Sequence, residues 1–219
     1  MRVSKQISDL RKHLLEWGNE NTKSYPWRWV NDPYRILVSE FMLHRTQAKQ
    51  VIPIYEQFIV VYPDLRSFSQ ADHNETRTML SSLGLQWRID GMIRALAEIW
   101  ESYQEVPPDQ EKLRSIDGIG QYIAGATICF SLNEPVTLID TNTVRVVGRV
   151  FGLDLSGEAR RRKSVVLAIK ETCDPDNPCD YYYSMIDLAH QICKVRTPLC
   201  VTCPLLDLPC AYGNSMTKE

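Results

Sequence analysis

The stretch Leu113-Arg-Ser-Ile116-Asp-Gly118-Ile119-Gly120, running straight into Gln121–Leu132, constrains this chain more than any other. Helical patterns over Asp109–Ser115 and Gln121–Leu132 leave only Ile116 to Gly120 to reverse the chain. Glycine tolerates φ > 0, so two glycines two apart allow a very tight turn between helices. Ala124, Gly125 and Ala126 keep the second helix slim enough for close packing. The first N–H groups of that helix have no intrahelical partner and, with the helix dipole, suit an anion such as a phosphate. Two readings stay open on this pattern alone: a hairpin that grips a phosphate backbone, and an ordinary αα-corner whose glycines serve packing.

The rest of the chain reads as helix too. Apolar residues recur at helical spacing over Ser4–Trp17, Tyr34–Arg45, Gln47–Tyr62, Leu65–Gln70, Asn74–Leu83 and Trp87–Tyr103. After the hairpin they recur over Thr141–Phe151, Glu158–Thr172 and Tyr181–Val195. Pro26 and Pro33 break a loop from Asn19, Pro53 lies inside a helical pattern, and Pro135 interrupts the chain after the hairpin. No convincing alternation of period two appears, so the expected fold class is all-α.

Composition narrows the function classes. At 219 residues with 44% hydrophobic content the chain supports a real core, and a formal charge of −2 argues against coating nucleic acid by bulk positive charge. The charge is unevenly spread, however. Residues 141–170 hold seven basic side chains against two acidic ones, including the run Arg160–Lys163, which reads either as a solvated helix start or as a basic patch. No segment approaches the roughly 18 apolar residues of a membrane span. The start, Met1–Leu10, is too polar for a signal peptide, so a soluble, cytoplasmic protein without membrane partners is expected.

Four of the seven cysteines crowd the end of the chain: Cys193, Cys200, Cys203 and Cys210, spaced C-x6-C-x2-C-x6-C. In a chain of this kind such a cluster points to metal rather than disulfides. Structural zinc sites usually use two short knuckles, and only one is present. Four thiolates on one short segment also suit an iron–sulfur cubane, one iron per cysteine. Spacing alone leaves both open, together with an unliganded cysteine-rich tail. Cys129 reads as core, and the Cys173–Cys179 loop carries no assigned role. Asp140, entering the Thr141–Phe151 helix, reads as an N-cap and equally as a fixed anion at a helix N-terminus.

Leu113–Ala126, the Pro135 loop, Asp140 and the four cysteines together resemble the helix-hairpin-helix DNA glycosylases. The resemblance is to the branch with a four-iron cluster: endonuclease III, the MutY adenine glycosylases and the archaeal mismatch thymine glycosylases. It extends to Tyr25-Pro-Trp-Arg28, Asp32-Pro-Tyr34 and Ser39–Gln47, and so covers about residues 17–213. It implies a two-lobed fold. A six-helix barrel with the hairpin (about 109–132) spans 31–134; a second helical lobe joins 1–30 to 135–219 and carries a [4Fe-4S] cluster loop at 193–210. Double-stranded DNA with a mismatched or damaged base is the implied partner, bound by a monomer, and the target base is flipped out of the stack.

Carried over position by position, Asp140 matches the family's catalytic aspartate. Glu40 matches a carboxylate that faces the target base and acts as general acid; its alternative is a buried charge paired with Arg28 or Arg45. Tyr122 falls where strand-cutting members have a Schiff-base lysine, which implies a monofunctional enzyme; plain core packing is the other reading. Gly118, Ile119 and Gly120 match the phosphate-binding hairpin. Arg45 or Gln47 is placed to fill the hole left by the flipped base or to contact the orphan guanine, whose edge suits Arg; pairing of Arg45 with a phosphate or with Glu40 is equally open. His44-Arg45 stands where MutY proteins have Gln-Gln, and Leu83–Arg88 lacks their paired tyrosines. Those departures, and a chain that stops at Glu219 with no room for a separate opposite-base reader, favour thymine or uracil opposite guanine. Adenine opposite guanine or 8-oxoguanine is the alternative. The gap before Cys210 is six residues, one more than the family's usual five. A non-catalytic DNA-binding module, with Asp140 only a cap, is a rival class, and a small electron-transfer protein a weaker one that leaves the hairpin, Glu40 and Asp140 unexplained.

Overall fold

Helical periodicity is realised over most of the described residues. A computed structural model describes residues 2–216, among which no strand occurs. Its helices are α1 (Arg2–Asn21), α2 (Pro33–Leu43), α3 (Ala48–Val61), α4 (Leu65–Ser69), α5 (His73–Leu80) and α6 (Gln86–Tyr103). The hairpin follows as α7 (Gln110–Ser115) and α8 (Gln121–Leu132), then α9 (Thr141–Phe151), α10 (Lys163–Thr172), α11 (Pro178–Gln191) and α12 (Ala211–Met216). No helix is long and apolar enough to cross a membrane.

The chain divides into two compact units: Ser24–Asn133, and the residues up to Lys23 together with those from Glu134 onward. The first is built around α2 and α8. Ile36 to Met42 are buried without a break, as are Ala124 to Ser131, so both helices are enclosed on all sides. Trp27 packs edge-on to Tyr55 with ring centres 5.4 Å apart, and Phe58, Tyr62 and Phe68 form a second aromatic group with centres 5.1–5.9 Å apart. In the other unit α1 lies against α11. A Cβ at Gly18 would come within 1.8 Å of Ser184 Oγ, so this crossing needs glycine. Arg11 donates to the carbonyls of Glu171 (2.8 Å), Thr172 (3.1 Å) and Cys173 (2.7 Å), which satisfies orphan acceptors at the end of α10.

Several boundaries differ from the sequence expectation, each for a local reason. Pro33 does not break a loop; it is the first residue of α2, capped by Asp32, which accepts from the N–H groups of Tyr34 and Arg35. The expected helix Tyr34–Arg45 stops at Leu43, because Arg45 turns left-handed at φ 61°. Glu158–Thr172 is not one helix: Ala159–Arg161 forms a 3-10 turn, and Arg162 is extended while its guanidinium holds Ser156 O and Oγ and Asp154. The helix expected over Tyr181–Val195 starts earlier, at Pro178, and ends at Gln191. α1 runs past both ends of Ser4–Trp17, and α12 had no sequence signal.

Candidate active site and cysteine loop

At the hairpin only one glycine is forced by its backbone. Gly118 has φ 86°, and its missing Cβ lets the turn sit against Gly91 of α6, where a Cβ would lie 3.4 Å from the Gly91 carbonyl oxygen. Gly120 corrects the expectation of two left-handed glycines: it is extended, with φ −80° and ψ 171°. A Cβ there would meet nothing within 4 Å, so no protein neighbour requires its bareness. Gly120 is the N-cap of α8, which has no side-chain cap. An uncapped helix start with a bare, exposed cap residue is an anion-binding arrangement. Ile119 is the buried anchor of the turn, 4% exposed, and its N–H bonds Ile116 O at 3.2 Å.

Glu40 lies on α2, in the same unit, and is 7% exposed. Tyr122, in the first turn of α8, is half-buried. Arg45 and Gln47 are both exposed on the turn between α2 and α3. That turn is tied down by Arg88, which the sequence reading passed over: its guanidinium donates to Met42 O (3.1 Å), His44 O and Thr46 Oγ1 (2.8 Å).

In the other unit Asp140 is the N-cap of α9. Its Oδ1 accepts from the N–H groups of Asn142 (2.9 Å) and Thr143 (2.7 Å), and its own N–H donates to Thr143 Oγ1 at 3.0 Å. This reciprocal cap is worth about 1 kcal/mol to the helix. The second oxygen has a separate use. Asn142 Nδ2 donates to Asp140 Oδ2 at 2.8 Å, and Asn142 Oδ1 accepts from Arg145 Nη2 at 3.1 Å. Arg145 continues to Ala189 O (3.0 Å) and, through Nε, to Cys193 O (2.8 Å). Burial pulls the Arg145 pKa below its ordinary value, partly offset by Cys193 and Asp140. A polar chain therefore runs from the carboxylate to the first cysteine of the loop. Asn142 and Arg145 are three apart and so share a helix face, a signal legible in the sequence once Asp140 is taken as a site.

The four cysteines line one apolar cavity with Val146, Ile192 and Leu205. The additional residue before Cys210 is absorbed by consecutive turns, Leu206 N to Cys203 O (3.0 Å) and Leu208 N to Leu205 O (3.2 Å). These turns bury Leu205 and Leu208 and return Cys210 to the cavity. Arg149 Nη1 donates to Cys193 Sγ at 3.4 Å and stacks over Tyr212 at 4.4 Å. The Cys203 thiol is pushed up to about 11, chiefly by burial, and the other three cysteines add to the shift. Among the described residues, no three His, Cys, Asp or Glu side chains stand close enough to share a single metal ion.

No protein-family profile matches the chain. A thymine-DNA glycosylase of Aeropyrum pernix is 35% identical over 219 residues, covering 96% of this chain and 96% of that protein. An adenine DNA glycosylase of Mycobacterium tuberculosis is 32% identical over 92% of this chain and 66% of its own length. The solved structure of a thermostable thymine-DNA glycosylase superposes with a TM-score of 0.88 at 25% identity, over 98% of this chain and all of that one. With the hairpin, the capped Asp140 and these relatives together, the chain belongs to the helix-hairpin-helix DNA glycosylases, enzymes that hydrolyse the N-glycosyl bond between a base and DNA.

Proposed function

We propose that this glycosylase excises thymine or uracil mispaired with guanine in duplex DNA and leaves an abasic site without cutting the strand. The observation that carries the mechanism is the fixed carboxylate of Asp140, held by three donors at the start of α9. An anion fixed in this way is suited to stabilising the positive charge that develops on the sugar as the base departs. Glu40 supplies the proton to the departing base, directly or through water. Tyr122 stands where an imine-forming lysine would be needed, and a phenol forms no imine with the sugar. The hairpin takes a phosphate at the bare N-terminus of α8. Arg45 and Gln47, on an exposed turn, meet the duplex where the base has left. The choice of base rests on the relative from Aeropyrum pernix, named a thymine-DNA glycosylase and matched nearly end to end. Adenine excision is the second reading, favoured by the relative from Mycobacterium tuberculosis.

The deciding experiment is a panel of duplexes carrying T·G, U·G, A·G and A·8-oxoguanine, scored for strand breaks after alkali. Alkali-labile sites at T·G and U·G, with no adduct trapped by borohydride, are expected. Cleavage at the adenine pairs alone establishes the second reading, and no labile site on any duplex leaves a binding module.

Cys193, Cys200, Cys203 and Cys210 are further proposed to hold a [4Fe-4S] cluster. Four thiols lining one cavity are the right donor set. A single structural zinc usually takes two short C-x2-C knuckles, and this loop has only the one at Cys200–Cys203. A cubane spreads its four thiolates over four irons. When bound, the cluster would supply a rigid crosslink for the loop, and Lys194 and Arg196 on that loop are exposed and available to phosphates. Anaerobically purified protein should be brown and contain about four irons per chain, and Cys203→Ala should lose both colour and iron. Colourless protein, or zinc at one per chain, overturns the assignment.

A further inference from the structure

Arg88 is the most deeply buried arginine or lysine among the described residues, 3% exposed, and its partners are four backbone carbonyls and one hydroxyl in two turns. Nη1 serves the turn after α2 through Met42 O, His44 O and Thr46 Oγ1, while Nη2 serves the turn before α6 through Leu83 O (3.0 Å) and Gly84 O (3.4 Å). One side chain thus joins two turns about forty residues apart in sequence. Both turns are strained. Arg45 has φ 61°, Gly84 φ 67°, and Leu85 sits at φ 54°, ψ 66°. A left-handed residue other than glycine costs about 1–2 kcal/mol, which a free turn would shed by relaxing. Both turns also expose side chains at the surface: Arg45, Leu85 (38% exposed) and Trp87 (57% exposed). His44 meets Trp87 edge-on at 5.8 Å and links the two turns at the surface.

Burying a guanidinium is costly, and its planar fork of donors is the reason to use it where several carbonyls must be held in fixed relation. We propose that Arg88 is a positioning residue for duplex DNA: it fixes residues 43–46 and 83–87 as one rigid platform that presents Arg45, Leu85 and Trp87 to the duplex. The partner's identity rests on the glycosylase reading; the platform itself does not. A cation flanked by an apolar and an aromatic side chain engages phosphates and base edges on one hand and base faces on the other.

Arg88→Lys keeps the charge and loses the fork. Amide hydrogen exchange should accelerate at both turns in this variant while α8 keeps its protection. Affinity for a G·T duplex should fall about tenfold, and the losses from Arg88→Lys and Arg45→Ala should combine to less than their product. Thr46→Val, which removes one acceptor and leaves Arg88 in place, guards against misfolding: exchange should rise at 43–46 alone. Unchanged affinity in Arg88→Lys, multiplicative losses, or faster exchange spread over the whole unit overturns the proposal. Wild-type protein that binds the duplex without excising any base fails the glycosylase reading and leaves the platform standing. Wild-type protein that does not bind duplex DNA overturns the platform.

Discussion

Replacing Asp140 by Asn should lower single-turnover excision about a thousandfold or more, while duplex binding stays within about threefold. The substitution is nearly isosteric, and Asn is as good an N-cap as Asp, so α9 keeps its start. What changes is the charge and the direction of the polar chain behind it. Asp140 Oδ2 accepts from Asn142 Nδ2, and Asn142 Oδ1 accepts from Arg145. With an amide at 140, its Nδ2 meets the Nδ2 of Asn142, donor against donor. Flipping the Asn142 amide relieves that clash and turns its Nδ2 toward Arg145, another donor. The chain can be satisfied at one end only. Rate and orientation are lost together, with binding through the hairpin retained. Excision near the wild-type rate would show that Asp140 only caps the helix.

Glu40→Gln should cost about a hundredfold on thymine, within the usual range for losing a general acid. Glu40 is buried on α2, and Gln fills the same volume, so the fold should survive. The discriminating readout is the leaving group. 5-Fluorouracil departs more readily as an anion than thymine and needs less protonation. The deficit should therefore shrink on 5-fluorouracil opposite guanine. An equal deficit on both bases would mean that Glu40 supports α2 and does not deliver a proton. Measuring both bases in single turnover, with melting temperature alongside, separates these outcomes.

The parts of the molecule legible in the sequence are those fixed by local chemistry. α8 and α9 begin and end where their patterns placed them, because Gly120 and Asp140 mark their starts, and Asn133 and Gly152 end them in left-handed conformation. Gly118 announced the tight turn. Two of the misplaced boundaries also carry a contact that periodicity does not register. α2 stops where Arg45 turns left-handed, and Arg88, from elsewhere in the same unit, holds the carbonyls of Met42 and His44 at that turn. Where the expected Glu158–Thr172 helix is interrupted, the extended Arg162 likewise reaches back to Ser156. Long cationic side chains act at a distance that periodicity does not register.

The same division runs through the candidate site. Residue type and spacing alone determined an all-helical chain, a hairpin with an anion-ready helix start, a capping aspartate and a four-cysteine loop. Each is a matter of backbone dihedrals, helix ends or thiol chemistry within a few residues. Only the tertiary structure decided that Asn142 and Arg145 connect Asp140 to the cysteine loop, that the six-residue gap still returns Cys210 to the shared cavity, and that Gly120 is bare for no internal reason. It also decided that Arg88 holds two strained turns as one. These facts depend on which donors and acceptors meet after the helices pack, and burial makes those pairings obligatory, since a polar group cut off from water must find its partner inside the protein.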